Sequence, residues 1–230
     1  MNELWMAPDW RVVLAFAGIG IGYPVYQYWL QADAWRARLT SRYSGEALEI
    51  SSVFAQRIAG GLWLGGVAVV TACLAGLKLA DIGLAAGDLT RTLIWLGACA
   101  LLLPLIARGA TSPANIAHYP QMKLAQWPAQ RIRQNALAWG AYLLGYELFF
   151  RGLCLAWFTQ TFGMWGGILT TTVIYAYAHL QKNAGETFGS LIVGVIFALM
   201  TLHTGAIWAA FLLHWMIAVT GETAAIYKKR

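Results

Sequence analysis

Residues 136–158 read ALAWGAYLLGYELFFRGLCLAWF, an apolar run whose only charges are Glu147 and Arg151. A helix of about 20 apolar residues crosses a bilayer core, so the run is long enough to span one. Hydrocarbon gives an open backbone no hydrogen-bond partner, which makes the run helical. Glu147 and Arg151 are then i and i+4 on one helix face. A charge at the bilayer centre costs a few kcal/mol even on the mildest scales, so that face must look into a bundle or a wet cavity. Glu147 stands about 11 residues, or roughly 16 Å, from the start of its helix, near mid-membrane.

Working outward, six further apolar runs lie at 12–30, 58–77, 92–107, 163–181, 187–203 and 205–224. The run at 92–107 is short and holds Pro104, which predicts a kink. The chain of 230 residues is 59% hydrophobic and 11% charged, with a mean hydropathy of +0.56, against about 25% charged in soluble domains. A water-soluble enzyme, a disordered chain and a disulfide scaffold are excluded. The expected fold is an all-α, polytopic membrane helix bundle of about seven transmembrane spans. Gly60, Gly61, Gly65, Gly66, Gly166 and Gly167 are placed to let helices approach closely. The expected organisation is an N-terminal membrane region of three spans and two cytoplasmic loops (1–134), a four-span core (135–224) and a basic tail (225–230). Glu3 and Asp9 occupy the place of a basic n-region, so the N-terminus reads as no cleavable signal. Cys73, Cys99 and Cys154 sit in apolar runs without a C-x-x-C and are expected to be buried free thiols.

The net charge of +6 reads as topology rather than a nucleic-acid footprint. Arg11, Lys78 and Arg91 fall on one side of the alternating spans. Arg36, Arg38, Arg42, Arg57, Arg108, Lys123, Arg131, Arg133, Lys182, Lys228, Lys229 and Arg230 fall on the other. Cytoplasmic loops carry the excess of Lys and Arg, which predicts an N-terminus outside and a C-terminus in the cytoplasm; the expected location is a bacterial inner membrane. The loops near 31–57 and 108–135 mix Arg with aromatic residues and suit an anionic lipid surface. Membrane lipid is an expected partner; nucleic acid is not.

Two histidines join the intramembrane pair. His179 ends the fifth run with Tyr175 one turn before it on the same face, and His214 lies mid-way along the seventh. His118, His203 and Glu222 are weaker candidates; Glu222, two turns after His214, is expected at the interface, from where it could reach toward the same cavity. Glu147, His179 and His214 suit hydrolysis, with a carboxylate to activate water and imidazoles to hold an oxyanion. The same three also match a zinc site with an open fourth position, and neither residue type nor spacing chooses between the two. No cofactor is favoured. One tension is that His179 falls near the cytoplasmic end of its run, while Glu147 and His214 fall near the midplane.

Glu147-Leu148-Phe149-Phe150-Arg151-Gly152, Tyr175-Ala176-Tyr177-Ala178-His179, and Thr204-Gly205-Ala206-Ile207-Trp208 leading to Leu212-Leu213-His214 resemble the three motifs of the CAAX-protease and bacteriocin-processing family. These are intramembrane proteases related to the type II CAAX prenyl endopeptidase and to lysostaphin-resistance-A-like proteins. The resemblance covers about 141–222. It implies a glutamate-based endopeptidase acting on a membrane-associated peptide or protein, although family members have also been described as metalloproteases. It assigns Glu147 as base or its electrostatic partner, Arg151 to orient Glu147, and His179 and His214 to activate water and hold the oxyanion. Tyr146 and Tyr175 become supporting donors. Two positions depart from the pattern: Tyr146 stands where the family places a first glutamate, and Ala218 stands where it places Asn or Asp. A catalytically silent relative that binds a membrane partner is the alternative these departures raise. A small transporter or proton relay is the other, although no inverted repeat accompanies it.

Overall fold

The computed structural model describes residues 9–229, so Glu3 and Arg230 lie outside the described residues. Among these the fold is entirely helical: α1 (Trp10–Trp29), α2 (Ala32–Leu39), α3 (Gly45–Leu74), α4 (Leu89–Ala100), α5 (Leu103–Ala110), α6 (Pro113–His118), α7 (Ala129–Glu147), a π-helical segment (Leu148–Cys154), α8 (Leu155–Tyr177), α9 (Ala184–Thr204) and α10 (Trp208–Lys228). Three helices, α3, α9 and α10, are long and apolar enough to cross a membrane, and the α4–α5 pair, bent by 46°, makes a fourth candidate. Pro104 lies in the first turn of α5, where its missing N–H and fixed φ end one helix and start the next.

Local chemistry sets the helix ends. Asp9, Asp88, Ser112 and Asn183 accept hydrogen bonds from the first-turn N–H groups of α1, α4, α6 and α9, satisfying donors that a helix start leaves open. α9 stops at Gly205, whose φ of +70° is the left-handed conformation glycine adopts without a side-chain clash. α8 reverses its backbone at Gly163 (φ +74°, ψ 173°). The chain from Ala129 to Phe162 is therefore one long helix interrupted by the π-helical segment, and 164–177 is a separate rod.

α3 packs on α7, and α8 on α9, as the closest helix neighbours. The α3–α7 contact is made by glycine. A Cβ on Gly145 would strike the Gly61 carbonyl, and one on Gly61 would strike the Ala141 carbonyl, so the two backbones meet directly. Large apolar side chains cover the outside: Leu62 is 73%, Leu101 80% and Ile192 68% exposed, a surface suited to lipid.

Four expectations change. Arg57, counted as a cytoplasmic loop residue, is inside α3 and 1% exposed, because the helix begins at Gly45, well before the apolar run. Glu222, expected at the interface, is likewise 1% exposed. Only Cys154 of the three free thiols is buried; Cys73 is exposed on the outer face. The helix α10 also continues into the expected tail, as far as Lys228.

Candidate active site

α7 delivers Glu147 at its last residue, and the wide turn that follows delivers Arg151. Single π-type turns inside α-helices occur frequently at functional sites. Both side chains are fully buried, with Arg151 Nε 3.5 Å from Glu147 Oε2. The other carboxylate oxygen, Oε1, lies 2.5 Å from Nδ1 of His214 on α10, so that nitrogen carries the proton and donates it to the carboxylate. The Arg151 guanidinium lies over the rings of Tyr175 (4.1 Å) and Phe197 (5.2 Å). Aromatic faces stabilise a desolvated cation. The pair is thus held from three further helices, α8, α9 and α10.

The aromatic residues link this cluster to the second histidine. The Tyr146 ring packs edge-on to His214 at 5.8 Å and to Tyr175 at 5.9 Å. Tyr175 lies 6.3 Å from His214 and 4.6 Å from His179. His179 follows the end of α8, and its Nδ1 is 2.8 Å from the Tyr175 carbonyl. That contact requires Nδ1–H, which leaves Nε2 as the available nitrogen. The tension over His179 has a simple resolution: the end of α8 itself borders the site.

All of this faces one cavity of about 750 Å³, lined by His214, His179, Tyr146 and Tyr175 but by neither Glu147 nor Arg151. Of the Glu147–His214 pair, only the histidine meets the cavity, with its side chain 15% exposed against 0% for Glu147. His118 and Glu222 border the same space. His203 does not: its Nδ1 accepts from Trp95 Nε1 at 3.1 Å elsewhere. Ala218 also lines the cavity, leaving an apolar spot where the family pattern places an amide or acid.

Among the described residues, no group of three or more His, Cys, Asp or Glu is arranged to hold a metal ion. Glu147 and His214 use Oε1 and Nδ1 on each other, and His179 uses Nδ1 on a backbone carbonyl, which leaves Nε2 of both histidines without a hydrogen bond of this kind among the described residues.

A second buried ion pair was not apparent from the sequence. Arg57 Nη2 lies 3.6 Å from Glu222 Oε1. Arg57 Nη1 donates to both the carbonyl and the side-chain oxygen of Asn135, and its guanidinium covers the Trp139 ring at 4.2 Å. From Arg57 a file of amides runs along the cavity. Arg57 Nη2 donates to Gln121 (3.0 Å), Gln121 to Gln56 (2.9 Å), Gln56 to Gln31 (2.7 Å) and Gln31 to Gln27 (3.2 Å). No motif announces this ribbon, since its members come from α1, the α1–α2 link, α3 and the loop before α7.

At one side of the cavity Lys182 donates to the Tyr119 hydroxyl at 3.2 Å, and that hydroxyl donates to Glu186 at 3.1 Å. Burial pushes the Lys182 ammonium below its ordinary range, with Glu186 and Glu222 pulling the other way. Burial first, and then Glu186, pushes the Tyr119 phenol well above its own.

Fold and site together define a helical membrane bundle with a buried carboxylate–guanidinium–imidazole cluster behind a polar cavity. Residues 131–220 match the family described as type II CAAX prenyl endopeptidase Rce1-like, so α7, the π-helical segment, α8, α9 and much of α10 form an Rce1-like domain. No curated protein and no solved structure matches the chain. Glu147, Arg151, His179 and His214 all lie inside the matched segment; Arg57, the four glutamines and Glu222 lie outside it.

Proposed function

We propose that the chain is an intramembrane endopeptidase that cleaves a membrane-associated peptide or protein. The observation that carries this reading is the 2.5 Å contact between buried Glu147 and cavity-facing His214, within a segment that matches an endopeptidase family. Water in the cavity meets imidazole rather than carboxylate. With Nδ1 bonded to Glu147, His214 takes the water proton on Nε2, and the carboxylate stabilises the imidazolium as it forms. Arg151 keeps Glu147 charged and oriented. His179, its tautomer fixed by the Tyr175 carbonyl, holds the attacking water. The hydroxyls of Tyr146 and Tyr175 are donors for the oxyanion. The proton then passes from His214 to the leaving amine. Glu147 acts here as the electrostatic partner, which suits a chain with Tyr146 at the usual position of the base.

The same reading places seven spans in a bacterial inner membrane, N-terminus outside and C-terminus cytoplasmic. α1, the bent α4–α5 pair and both halves of the helix broken at Gly163 accompany α3, α9 and α10. Cysteine-accessibility labelling at Thr40 and at Lys78 checks this, because the two belong on opposite sides. For the activity, protein termini are mapped in membranes of cells expressing wild type, Glu147→Gln or His214→Ala. New termini present only with wild type are the expected result. Their absence, with a cellular phenotype that survives both substitutions, would favour the silent binding relative that Tyr146 and Ala218 suggest.

A further inference from the structure

The amide ribbon faces the same cavity as the histidines, and its bonding capacity is not used up. Gln27, Gln31, Gln56 and Gln121 all line the space. Each primary amide brings two N–H donors and a carbonyl with two lone pairs. Gln56 uses both donors, on Gln31 and on the Tyr26 hydroxyl. Gln31 and Gln121 each use one, on the next glutamine in the file. The ribbon is ordered by its own internal bonds and keeps donors and acceptors to spare along one wall. Elsewhere the lining is mixed: Ile106, Val193 and Ile217 stand among polar groups such as Asn115, Lys182 and Glu186.

We propose that this wall binds the main chain of an extended, unprenylated polypeptide segment and feeds it to His214. The proposal rests on the endopeptidase reading and adds the substrate class. An unwound segment below the membrane surface needs a partner for every N–H and C=O, and a file of amides supplies both kinds. An isoprenoid chain supplies neither, so laying one on this wall would strip water from amide groups without replacing it. The cavity lies within the roughly 300–1,000 Å³ usual for ligand sites, and Ile106, Val193 and Ile217 offer contacts for apolar side chains. The recognition elements all come from the N-terminal half, before the matched domain begins.

The test uses full-length protein in detergent and an N-acetylated hexapeptide of alternating alanine and glutamine carrying a benzophenone. Photo-crosslinks are expected on residues lining the cavity. Untagged peptide should compete them away, and N-acetyl-S-farnesylcysteine should not. Gln31→Leu and Gln121→Leu should each weaken binding about tenfold, the worth of roughly one well-placed hydrogen bond. Gln27→Ala sits at the partly exposed end of the file and should weaken binding while leaving the thermal midpoint unchanged, which separates recognition from folding. Competition by the farnesyl compound, crosslinks outside the cavity, or wild-type binding in all three variants would overturn the proposal. Glutamine-dependent binding without any cleavage would bring down the endopeptidase reading alone, while cleavage indifferent to the glutamines would bring down this inference alone.

Discussion

The bundle holds two buried Arg–Glu pairs, one lining the cavity and one behind it, and they are built in opposite ways. Glu147–Arg151 is local, closed within one turn of a single helix, and its spare carboxylate oxygen is held by an imidazole. Arg57–Glu222 joins helices far apart in sequence, and its hydrogen bonds run to the amides of Gln121 and Asn135. A pair bonded to amides is fitted to hold helices and a ligand. The other pair ends on an imidazole that reaches the cavity. On the proposed function, the difference gives a chemical end and a binding end.

Breaking the binding end should cost the most stability. Arg57→Leu leaves Glu222 buried and uncompensated, worth about 3–5 kcal/mol. The double substitution Arg57→Leu/Glu222→Leu should recover most of that loss, because the two sites share one contact. Reversible unfolding in mixed micelles reads both. If the double variant is as unstable as the single, the pair is not the stabilising unit. His214→Ala should lower cleavage about 10²–10⁴-fold, the usual weight of a general base, with little change in unfolding. A large unfolding change would mean the two ends are not as different as described.

Gly145→Ala probes what keeps the two ends aligned. Its Cβ would meet the Gly61 carbonyl, and overpacking of this kind typically costs about 1–3 kcal/mol. The outcome to look for is a fall in both stability and activity, since α3 carries Arg57 and α7 carries Glu147. The smallest effect is expected from Asn183→Ala. Losing the side-chain bond to Glu186 N, 3.0 Å long, removes the α9 cap for about 1 kcal/mol, and cleavage should continue. Activity lost out of proportion to that change would place the α8–α9 turn, and His179 with it, closer to the chemistry.

The chemical end was legible in the sequence because its signals are short-range. Charges at i and i+4 in an apolar run declare a shared face, and the three motifs point to His179 and His214 on other helices. Each apolar run lies largely in helix, but only α3, α9, α10 and the bent α4–α5 pair are long and apolar enough to cross a membrane. The rest depended on information that linear spacing does not carry. Arg57 resembled a loop residue because α3 starts well before its apolar part, and Glu222 gained its partner only when the fold brought it to Arg57. Glutamines are ordinary near an interface, and nothing marks four of them as one hydrogen-bonded file until the helices are in place. The break at Gly163 and the wide turn after Glu147 also escaped, since both arise where tertiary packing overrides a continuous helical pattern.

That wide turn has a consequence for what this chain can tolerate. In a regular α-helix, residue i+4 overshoots a full turn by about 40°; a wider turn brings Arg151 more nearly beneath Glu147 and swings everything after Cys154 to a new azimuth. Dropping one apolar residue from Leu148–Cys154 would leave the composition of the run almost untouched. It would also restore an ordinary helix, and every side chain downstream would point the wrong way. Within this segment, length is more tightly constrained than chemistry, so single-residue deletions should be far less permitted than substitutions between Leu, Phe and Cys.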